Sequence, residues 1–203
     1  IGADALAVVI DEPGGIVSIT TDTTDNDNFV MYIGPFVPAD GGCTMEARFK
    51  VDAITDLAVY AGFTETLAAD TPVMPAEFAT ESFIYNGTGG MVGLQFDVDA
   101  TTNDWRACAG DAGVAAVDND SDASRAYNAP VADKWDVVRV EIDPNGDSRV
   151  LLSADSEDEG GFKIVKSFTS PINPADLQFA LVMLEHRAST GGTSSVLEVD
   201  YFN

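Results

Sequence analysis

The segment CTMEARFKV, residues 43–51, decides the fold. Every second side chain in it is apolar, and the side chains between them are polar or charged. The apolar set is Cys43, Met45, Ala47, Phe49 and Val51, and the polar set is Thr44, Glu46, Arg48 and Lys50. This period of two predicts an antiparallel strand with one face buried in a core and the other face in water.

The same alternation recurs along the whole chain, whereas sustained 3.6-residue periodicity is nearly absent. Strong runs are LAVYAGF (57–63), MVGLQFDV (91–98), WDVVRVEID (135–143), QFALVMLEH (178–186) and SVLEVDYF (195–202). Weaker runs are ALAVVI (5–10), GIVSIT (15–20), NFVMYI (28–33), RVLLSA (149–154) and FKIVKSF (162–168). Turn signals such as DPNG at 143–146 separate the runs. Eleven short strands at this spacing predict an all-β sandwich or barrel.

Two segments do not fit this alternation. PAEFAT, at residues 75–80, permits a helix and is predicted to form a single turn, and the Asp-, Ala- and Gly-rich stretch 109–131 is predicted to be a long loop. No Pro/Ser-rich or charge-block linker divides the 203 residues, so we expect one domain over 1–203. Residues 1–42 are the least diagnostic and are predicted to form outer strands or an attaching arm.

The charge balance is strongly acidic, with 34 Asp and Glu against 10 Lys and Arg, a net charge of −24. Nucleic acid and anionic membranes are therefore not expected as partners, because both require clustered basic residues. Two explanations of the acidity remain open. It favours solubility through self-repulsion, or it is an adaptation to saline water, where salt screens that repulsion; we favour a marine or saline source.

The two cysteines, Cys43 and Cys108, are too few for a disulfide framework. Both fall in strand-like runs and resemble small buried apolar residues, and a bridge between them stays open. The first residues lack the basic and apolar regions of a secretory signal, and no apolar run approaches the roughly 20 residues of a membrane-spanning helix. We therefore expect a soluble protein.

The order of these features resembles the concanavalin A-like lectin/glucanase superfamily, which includes laminin-G-like jelly rolls. Three segments carry the resemblance. They are AVYAGFTET (58–66) followed by GGMVGLQFDVDATTNDWRACAGD (89–111), the hairpin KWDVVRVEIDPNGDSRVLLS (134–153), and SPINPADLQFALVMLEHRASTGGTSSVLEVDYFN (170–203), whose final LEVDYF resembles the usual closing strand. The resemblance spans residues 43–203 and implies a two-sheet antiparallel jelly-roll sandwich. The sequence segments GFTET, FDVDATTNDW, APVADKW and LEVDYF are similar to segments of structural proteins of tailed bacteriophages.

The resemblance implies a virion structural protein, specifically a capsid decoration protein on the outer surface of the head, assembled in the host cytoplasm. Its partners would be the major capsid protein and copies of itself. The acidity agrees with an exterior position, since packaged DNA would repel a domain of this charge. The alternative is a lectin-like, carbohydrate-binding module, which predicts exposed aromatic rings and carboxylates on one sheet face.

No enzymatic activity is expected. Glucanases of the superfamily carry a Glu-x-Asp-x-x-Glu strand, whose two catalytic carboxylates stand about 5 to 5.5 Å apart. Here Glu198 and Asp200 supply only the first half of that pattern, and Asn203 stands where the second carboxylate is needed. We therefore assign no catalytic residue and no organic cofactor.

Asp-rich segments are weak calcium candidates, because Ca²⁺ takes six to eight oxygen ligands. The main candidate comprises Asp118, Asp120 and Asp122, and a weaker one lies at 22–27 (DTTDND). Neither completes an EF-hand pattern, and such clusters arise freely in so acidic a chain.

Three further side chains, one imidazole and two indoles, belong to residue types that often contact ligands. The single histidine, His186, is predicted to be solvated or to cap a strand end. Trp135 is predicted to lie in the core, and the position of Trp105 is left open; neither is assigned as a ligand contact.

Overall fold

The computed structural model describes residues 5–9, 15–68, 72–80, 82–87, 89–101, 103–111, 114–117, 130–154, 161–187 and 192–203. Calcium candidates Asp118, Asp120 and Asp122 lie outside these ranges. Within them the chain forms strands and one short 3-10 helix, Pro38–Asp40. No helix in the described part is long and apolar enough to span a membrane.

The strands follow one another in this order: β1 (Ala5–Val9), β2 (Ile16–Thr20), β3 (Asn28–Phe36), β4 (Cys43–Val51), β5 (Leu57–Thr64), β6 (Ala76–Ala79), β7 (Ser82–Tyr85), β8 (Met91–Asp97), β9 (Arg106–Asp111), β10 (Val114–Val117), β11 (Asp136–Ile142), β12 (Ser148–Ala154), β13 (Lys163–Phe168), β14 (Gln178–His186) and β15 (Val196–Phe202).

Two large antiparallel sheets form the sandwich. Sheet I has seven strands in the order β1-β2-β15-β4-β11-β12-β13, and sheet II has six in the order β10-β9-β8-β5-β14-β3. The last strand of the chain, β15, pairs with β2 on one side and β4 on the other. The predicted all-β, two-sheet antiparallel jelly-roll sandwich is confirmed.

The core lies between the sheets and is built by the alternating strands. On β4, Met45, Ala47, Phe49 and Val51 are buried and Cys43 packs against them, as the period of two predicts. The sheet II side of the core is supplied by side chains such as Val59, Phe63, Leu94 and Val182.

The buried tryptophan is Trp105. Its ring packs edge-on against Phe49 and Phe96, with centroids 5.9 Å apart in each pair. Its Nε1–H donates to Oδ2 of buried Asp136, 3.1 Å away, and so joins the two sheets. The prediction that Trp135 lies in the core is wrong: Trp135 is half-buried on the outside of sheet I, because it precedes Asp136 and the alternation turns its ring outward.

The segment predicted as a helical turn is instead a strand. Residues 76–79 form β6, which pairs with β7 to make a separate hairpin. Two side chains of β8 hold this hairpin on sheet II by binding its backbone. The Phe78 N–H donates to Asp97 Oδ2 at 2.9 Å, and Gln95 Nε2 donates to the carbonyl of Ala76. These tertiary contacts override the local helix preference.

The segment predicted as a loop over 109–131 also contains strands. Strand β9 continues to Asp111, and β10 occupies Val114–Val117 at the edge of sheet II. The ends of the remaining predicted strands lie within two residues of the observed ends. The exception is β3, which continues three residues beyond its predicted end, to Phe36.

Candidate functional site

The two outer faces of the sandwich differ in what covers them. The β6–β7 hairpin packs on sheet II over a second apolar cluster, which includes Tyr60, Met74, Met91 and Met183. Among the described residues no strand or helix packs on the outer face of sheet I. In the described part of the chain, the outer face of sheet I is therefore the less covered of the two.

Four cross-strand ion pairs cover the open face of sheet I. They join β15 to β4, β4 to β11, and β11 to β12, because alternate residues of neighbouring antiparallel strands share a face. The pairs are Lys50–Glu198 (3.0 Å), Arg48–Asp200 (2.6 Å), Arg139–Glu46 (2.7 Å from Nε) and Arg149–Glu141 (2.6 Å).

We call this surface the charged face and define it by these eight residues together with Trp135 and Tyr201. Its ionic side chains are between 21% and 57% exposed, so each pair contributes at most about 1 kcal/mol to stability. The pairs hold donors and acceptors in fixed positions at the surface.

Trp135 lies among the cations of this face. The Arg48 guanidinium carbon is 4.4 Å from its ring centroid and the Lys50 Nζ is 5.1 Å away, which are cation–π distances. Tyr201 donates its hydroxyl to Glu46 Oε1 at 2.7 Å. Burial, and then this hydrogen bond, raise the pKa of Tyr201 to about 12, so the hydroxyl keeps its proton at physiological pH.

The strand β13 borders the charged face and is the edge of sheet I. Phe162 packs under the Arg139 guanidinium, 4.5 Å from its carbon, and is 37% exposed. Ile164 is 52% exposed, whereas Lys163 and Lys166 lie opposite the inward-facing Leu152 and Val150 of β12. This border therefore adds apolar surface to the charged face.

A polar groove of about 720 Å³ opens at one end of the charged face. Its walls include Thr44, Glu141, Asp143, Arg149 and Thr169. The Asp143 carboxylate fixes the β11–β12 turn by accepting the N–H groups of Asn145 (2.8 Å) and Asp147 (3.0 Å).

The opposite wall of the groove depends on a glycine. Gly42 has φ +81°, and a Cβ there would stand 2.8 Å from the carbonyl oxygen of Ile142. Only glycine accepts both the left-handed backbone and this close approach. The groove is therefore formed by turns of fixed conformation.

The half-motif of the glucanase pattern lies on the charged face. Glu198 and Asp200 are each bound by a cation of β4. Asn203 exchanges backbone hydrogen bonds with Glu46, at 2.9 and 3.0 Å. These residues thus serve the pairing of β15 with β4.

The prediction that His186 is solvated is wrong. The residue is fully buried, and its Nδ1 lies 3.2 Å from the hydroxyl of Ser195, which in turn donates to the carbonyl of Asp56. His186 follows Val182 and Leu184 in the alternation of β14, so its side chain points between the sheets. It joins sheet II to the start of β15.

The second Asp-rich segment, 22–27, uses its carboxylates within its own turn. Asp22 accepts the N–H of Thr24 at 2.6 Å, and Asp27 accepts the N–H of Asp22 at 2.8 Å. The hydrogen bonds from Thr24 lower the pKa of Asp22. No group of three or more metal-ligating side chains occurs in the described part of the chain, and calcium at Asp118, Asp120 and Asp122 stays a prediction.

Cys43 and Cys108 are both free thiols. Cys43 packs against the core between the sheets, whereas Cys108 belongs to the cluster on the outer side of sheet II. Burial raises the pKa of Cys43 to about 11 and that of Cys108 further. The two thiols therefore lie on opposite sides of sheet II, and the bridge left open by the sequence is absent.

A buried acidic cluster under the hairpin was not predicted from the sequence. The Arg187 guanidinium, 5% exposed, lies 2.9 Å from Glu185, 3.4 Å from Asp97 and 3.5 Å from Glu77. Burial raises the pKa of Glu185 to about 7. These residues come from β14, β8 and β6, and no sequence spacing connects them.

Comparison with known proteins identifies the fold. No protein-family model matches the chain, and no curated protein sequence matches it. Among solved structures, the carbohydrate recognition domain of Emp47p superposes with a TM-score of 0.52 at 13% identity, over 98% of this chain and 85% of that one. The metal-free carbohydrate recognition domain of Emp46p gives 0.51 at 13% identity, over 98% and 86%.

A phage module is also similar. The CBM2 module of the evolved Dit of Lactobacillus casei BL23 phage J-1 superposes with a TM-score of 0.50 at 11% identity, over 100% of this chain and 79% of that one. At such identities the likeness defines the fold alone. This chain has the concanavalin A-like fold of lectin-type recognition domains.

Proposed function

We propose that this chain is a non-enzymatic glycan-binding domain displayed on the surface of a phage virion, and that the charged face and its groove form the binding site. The observation that carries the proposal is the open outer face of sheet I, with its half-buried tryptophan and paired charges. The other outer face is covered by the β6–β7 hairpin.

The chemistry of the face suits sugars. A sugar hydroxyl both donates and accepts hydrogen bonds, and each ion pair offers a carboxylate acceptor beside a cationic donor. Trp135 adds an apolar ring with a polar edge. Such a ring can contact an apolar side of the ligand while its polar edge stays in water. Such surfaces fix orientation through a few placed polar groups.

The absence of catalysis is part of this proposal. Both Glu198 and Asp200 are held by cations, and the pattern has Asn203 in place of its second carboxylate. Incubation with the glycans that bind should release no reducing ends. Hydrolysis of a bound glycan would contradict this part of the proposal and leave the binding itself intact.

A glycan array followed by calorimetry tests the binding site. We expect Trp135→Ala to weaken the affinity about tenfold, equivalent to roughly 1.4 kcal/mol. Phe36→Ala is the matched control, because Phe36 is an aromatic residue, 38% exposed, on β3 of the other sheet. The proposal fails if wild type retains no glycan, or if both substitutions weaken binding equally.

The same titration in a chelator tests the cofactor prediction. We propose that binding needs no cofactor, so chelation should leave the affinity unchanged. Loss of binding that Ca²⁺ restores would instead support a calcium site at Asp118, Asp120 and Asp122.

Capsid decoration is the second candidate function. The edge strand β3 exposes Tyr32, Ile33 and Phe36, and an apolar groove of about 410 Å³ separates it from β15. Exposed apolar surface at a sheet edge favours attachment to another protein, here the major capsid protein or a further copy of this chain. The two proposed sites border one another, because Asp200 and Tyr201 line this groove and also belong to the charged face.

Co-sedimentation with capsid shells tests this attachment. Ile33→Lys should abolish co-sedimentation, because it places a charge in the apolar contact, and should leave glycan binding unchanged. Undiminished co-sedimentation of Ile33→Lys would overturn attachment through β3.

A further inference from the structure

The β6–β7 hairpin is an excursion from a sheet that is complete without it. Strands β5 and β8, which come before and after it in the chain, pair directly with each other over seven residue pairs. The excursion between them comprises residues 65–90 and is closed at its base, where the Glu65 N–H donates to the carbonyl of Gly90 at 2.8 Å. The hairpin can therefore leave sheet II without breaking the β5–β8 ladder.

Polar contacts at one strand of the hairpin attach it to sheet II. On β6, the Phe78 N–H donates to Asp97 of β8 at 2.9 Å. Glu77, next to it, lies 3.5 Å from the guanidinium of Arg187, which directly follows β14. Glu81, in the turn of the hairpin, lies outside the described residues. Strands β8 and β14 thus hold the hairpin through one carboxylate and one cation.

The charges at this attachment do not balance. Arg187 is shared by Glu185, Asp97 and Glu77, so the site has an excess of two negative charges when all three carboxylates are ionised. Glu185 and Asp97 are 4% and 0% exposed and belong to strands of sheet II, whereas Glu77 is 29% exposed and belongs to the hairpin. Glu77 is therefore the carboxylate that can move into water, and the hairpin moves with it.

The neighbouring elements do not remove this imbalance. The neutral residues Asn28 of β3 and Ala58 of β5 lie opposite Glu185. Asp99, just beyond β8, adds a further negative charge beside the guanidinium. Arg106 of β9 packs on an aromatic ring of the hairpin, 4.7 Å from its centroid, and has interactions of its own.

We propose that the β6–β7 hairpin is a pH-sensitive cover of sheet II, which is held closed while Glu185 carries a proton and is loosened when Glu185 ionises. Protonated Glu185 leaves Arg187 to Asp97 and Glu77, so the hairpin stays attached. Ionised Glu185 attracts Arg187, which lies only 2.9 Å away, and repels Glu77. Opening admits water to these carboxylates and uncovers the second apolar cluster on the outer side of sheet II.

The direction of the pH effect follows from burial. Burial raises the pKa of Glu185 from 4.5 to about 7, against the opposing effect of Arg187. Because water reaches the carboxyl in the open form and restores its ordinary pKa, the closed form binds the proton more tightly, and opening increases as the pH rises from 4.5 to 7. The opening equilibrium constant should rise about 40-fold between pH 5 and 7, and less than about twofold between pH 7 and 8.

The closed form remains the major one throughout this range. Phe78 of β6 is 1% exposed and Met74, which precedes the hairpin, is 0% exposed, and burial of each side chain contributes about 1.5 to 3 kcal/mol. The Thr80 N–H also donates to the carbonyl of Asp99 at 2.9 Å. Opening is therefore a minor fluctuation whose frequency depends on pH, and its measurement requires a probe of the open form.

The two free thiols supply that probe and its internal control. Cys108 is fully buried in the cluster under the hairpin, whereas Cys43 packs against the core between the sheets. Native protein is labelled from pH 5 to 8 with an uncharged dipyridyl disulfide, and each thiol is followed by peptide mass spectrometry. Thiolate formation accelerates both reactions, so the ratio of the Cys108 rate to the Cys43 rate isolates opening of the hairpin. We expect this ratio to rise about 40-fold between pH 5 and 7 and then to level off.

Glu185→Gln identifies the titrating group, because it keeps the shape of the side chain and removes its ionisation. The rate ratio in this variant should change less than about threefold over the same range. Glu141→Gln is the matched control, because it neutralises an exposed carboxylate of sheet I, and it should retain the rise of wild type. Where Glu185→Gln fails to fold, hydrogen exchange of wild type replaces it, and exchange of the Phe78 amide relative to the Val140 amide of β11 should show the same rise.

Three results would overturn the inference. A rate ratio that does not change with pH in wild type means that the hairpin does not respond to ionisation, or that both thiols react through global unfolding. An undiminished rise in Glu185→Gln assigns the titration to another group. In the hydrogen-exchange measurement, a pH-independent ratio of the Phe78 and Val140 rates has the same meaning as the first result.

Discussion

Replacing Glu185 by glutamine is expected to stabilise the protein at alkaline pH. The Glu185 side chain is 4% exposed and shares the Arg187 guanidinium with Asp97 and Glu77. Three carboxylates thus surround one cation in a buried site, and full ionisation leaves two negative charges uncompensated. Glutamine removes one of them and keeps nearly the same shape.

The magnitude follows from the pKa. Burial of the carboxylate raises the pKa of Glu185 from 4.5 to about 7, against the opposing effect of Arg187. Since the folded state binds this proton more tightly than the unfolded state, its contribution to stability is complete below pH 4.5 and is lost as the pH rises through 7. The difference between the two pKa values corresponds to about 3 kcal/mol.

Urea unfolding at pH 4.5, 6 and 8 measures this contribution. We expect Glu185→Gln and wild type to have similar unfolding free energies at pH 4.5, and Glu185→Gln to be more stable by up to about 3 kcal/mol at pH 8. The matched control is Glu141→Gln, which neutralises an exposed ion-paired carboxylate and should change stability by less than about 1 kcal/mol at every pH.

Arg187→Gln should have the opposite effect. It leaves the buried carboxylates of Glu185 and Asp97 without a cation and should destabilise the fold by about 3–5 kcal/mol at pH 8. The reasoning is refuted if Glu185→Gln is destabilised equally at all three pH values. That result would mean that Glu185 is ionised and stabilised by Arg187 throughout the range.

Two further predictions concern the core and the thiols. Trp105→Ala should destabilise the protein by about 3–5 kcal/mol in thermal or urea unfolding, because a large buried side chain leaves a cavity; an equal loss in the surface variant Trp135→Ala would contradict the assignment of the core tryptophan. A thiol reagent at pH 8 should label native protein slowly, since burial raises the pKa of Cys43 to about 11 and that of Cys108 further. After denaturation it should label two thiols. If it labels none, the two cysteines are bridged.

Strands with one face in water were predictable from the sequence. CTMEARFKV and DVVRVEI alternate strictly, because one face packs on the core and the other carries the charged side chains. The runs LAVYAGFT and MVGLQFD are also strands, but all of their residues are buried. Continuous apolar runs of this kind indicate a sheet covered on both faces. In the sequence, these two runs are therefore the signal that the outer face of sheet II is covered as well as the inner one.

The β6–β7 hairpin, which covers the outer face of sheet II, was not predictable from the sequence. The AEFA segment of β6 is too short and too rich in helix-forming residues to be recognised as a strand. It becomes one because Asp97 and Gln95, on a distant strand, bind its backbone. A hydrogen bond between residues 19 positions apart leaves no periodic trace in the sequence.

The candidate site was likewise predictable from the sequence only in part. Single residues of the charged face were visible as the polar positions of β4 and as Glu198 and Asp200 of the half-motif. Their assembly into one ladder depends on the strand order β15-β4-β11-β12. The sequence placed Trp135 in the core, although the alternation that turns Asp136 inward turns Trp135 outward.

The sequence by itself determined the antiparallel strands, the acidity and the incomplete glucanase pattern, because these depend on neighbouring residues or on composition. Only the tertiary structure decided which outer face is open, where the few cations gather, and which carboxylates are buried around Arg187. Those properties depend on the pairing of strands far apart in the chain, such as β4 with β15 and β6 with its contacts on β8. Burial and local field, which give each charged side chain its chemistry, arise only once those strands have met.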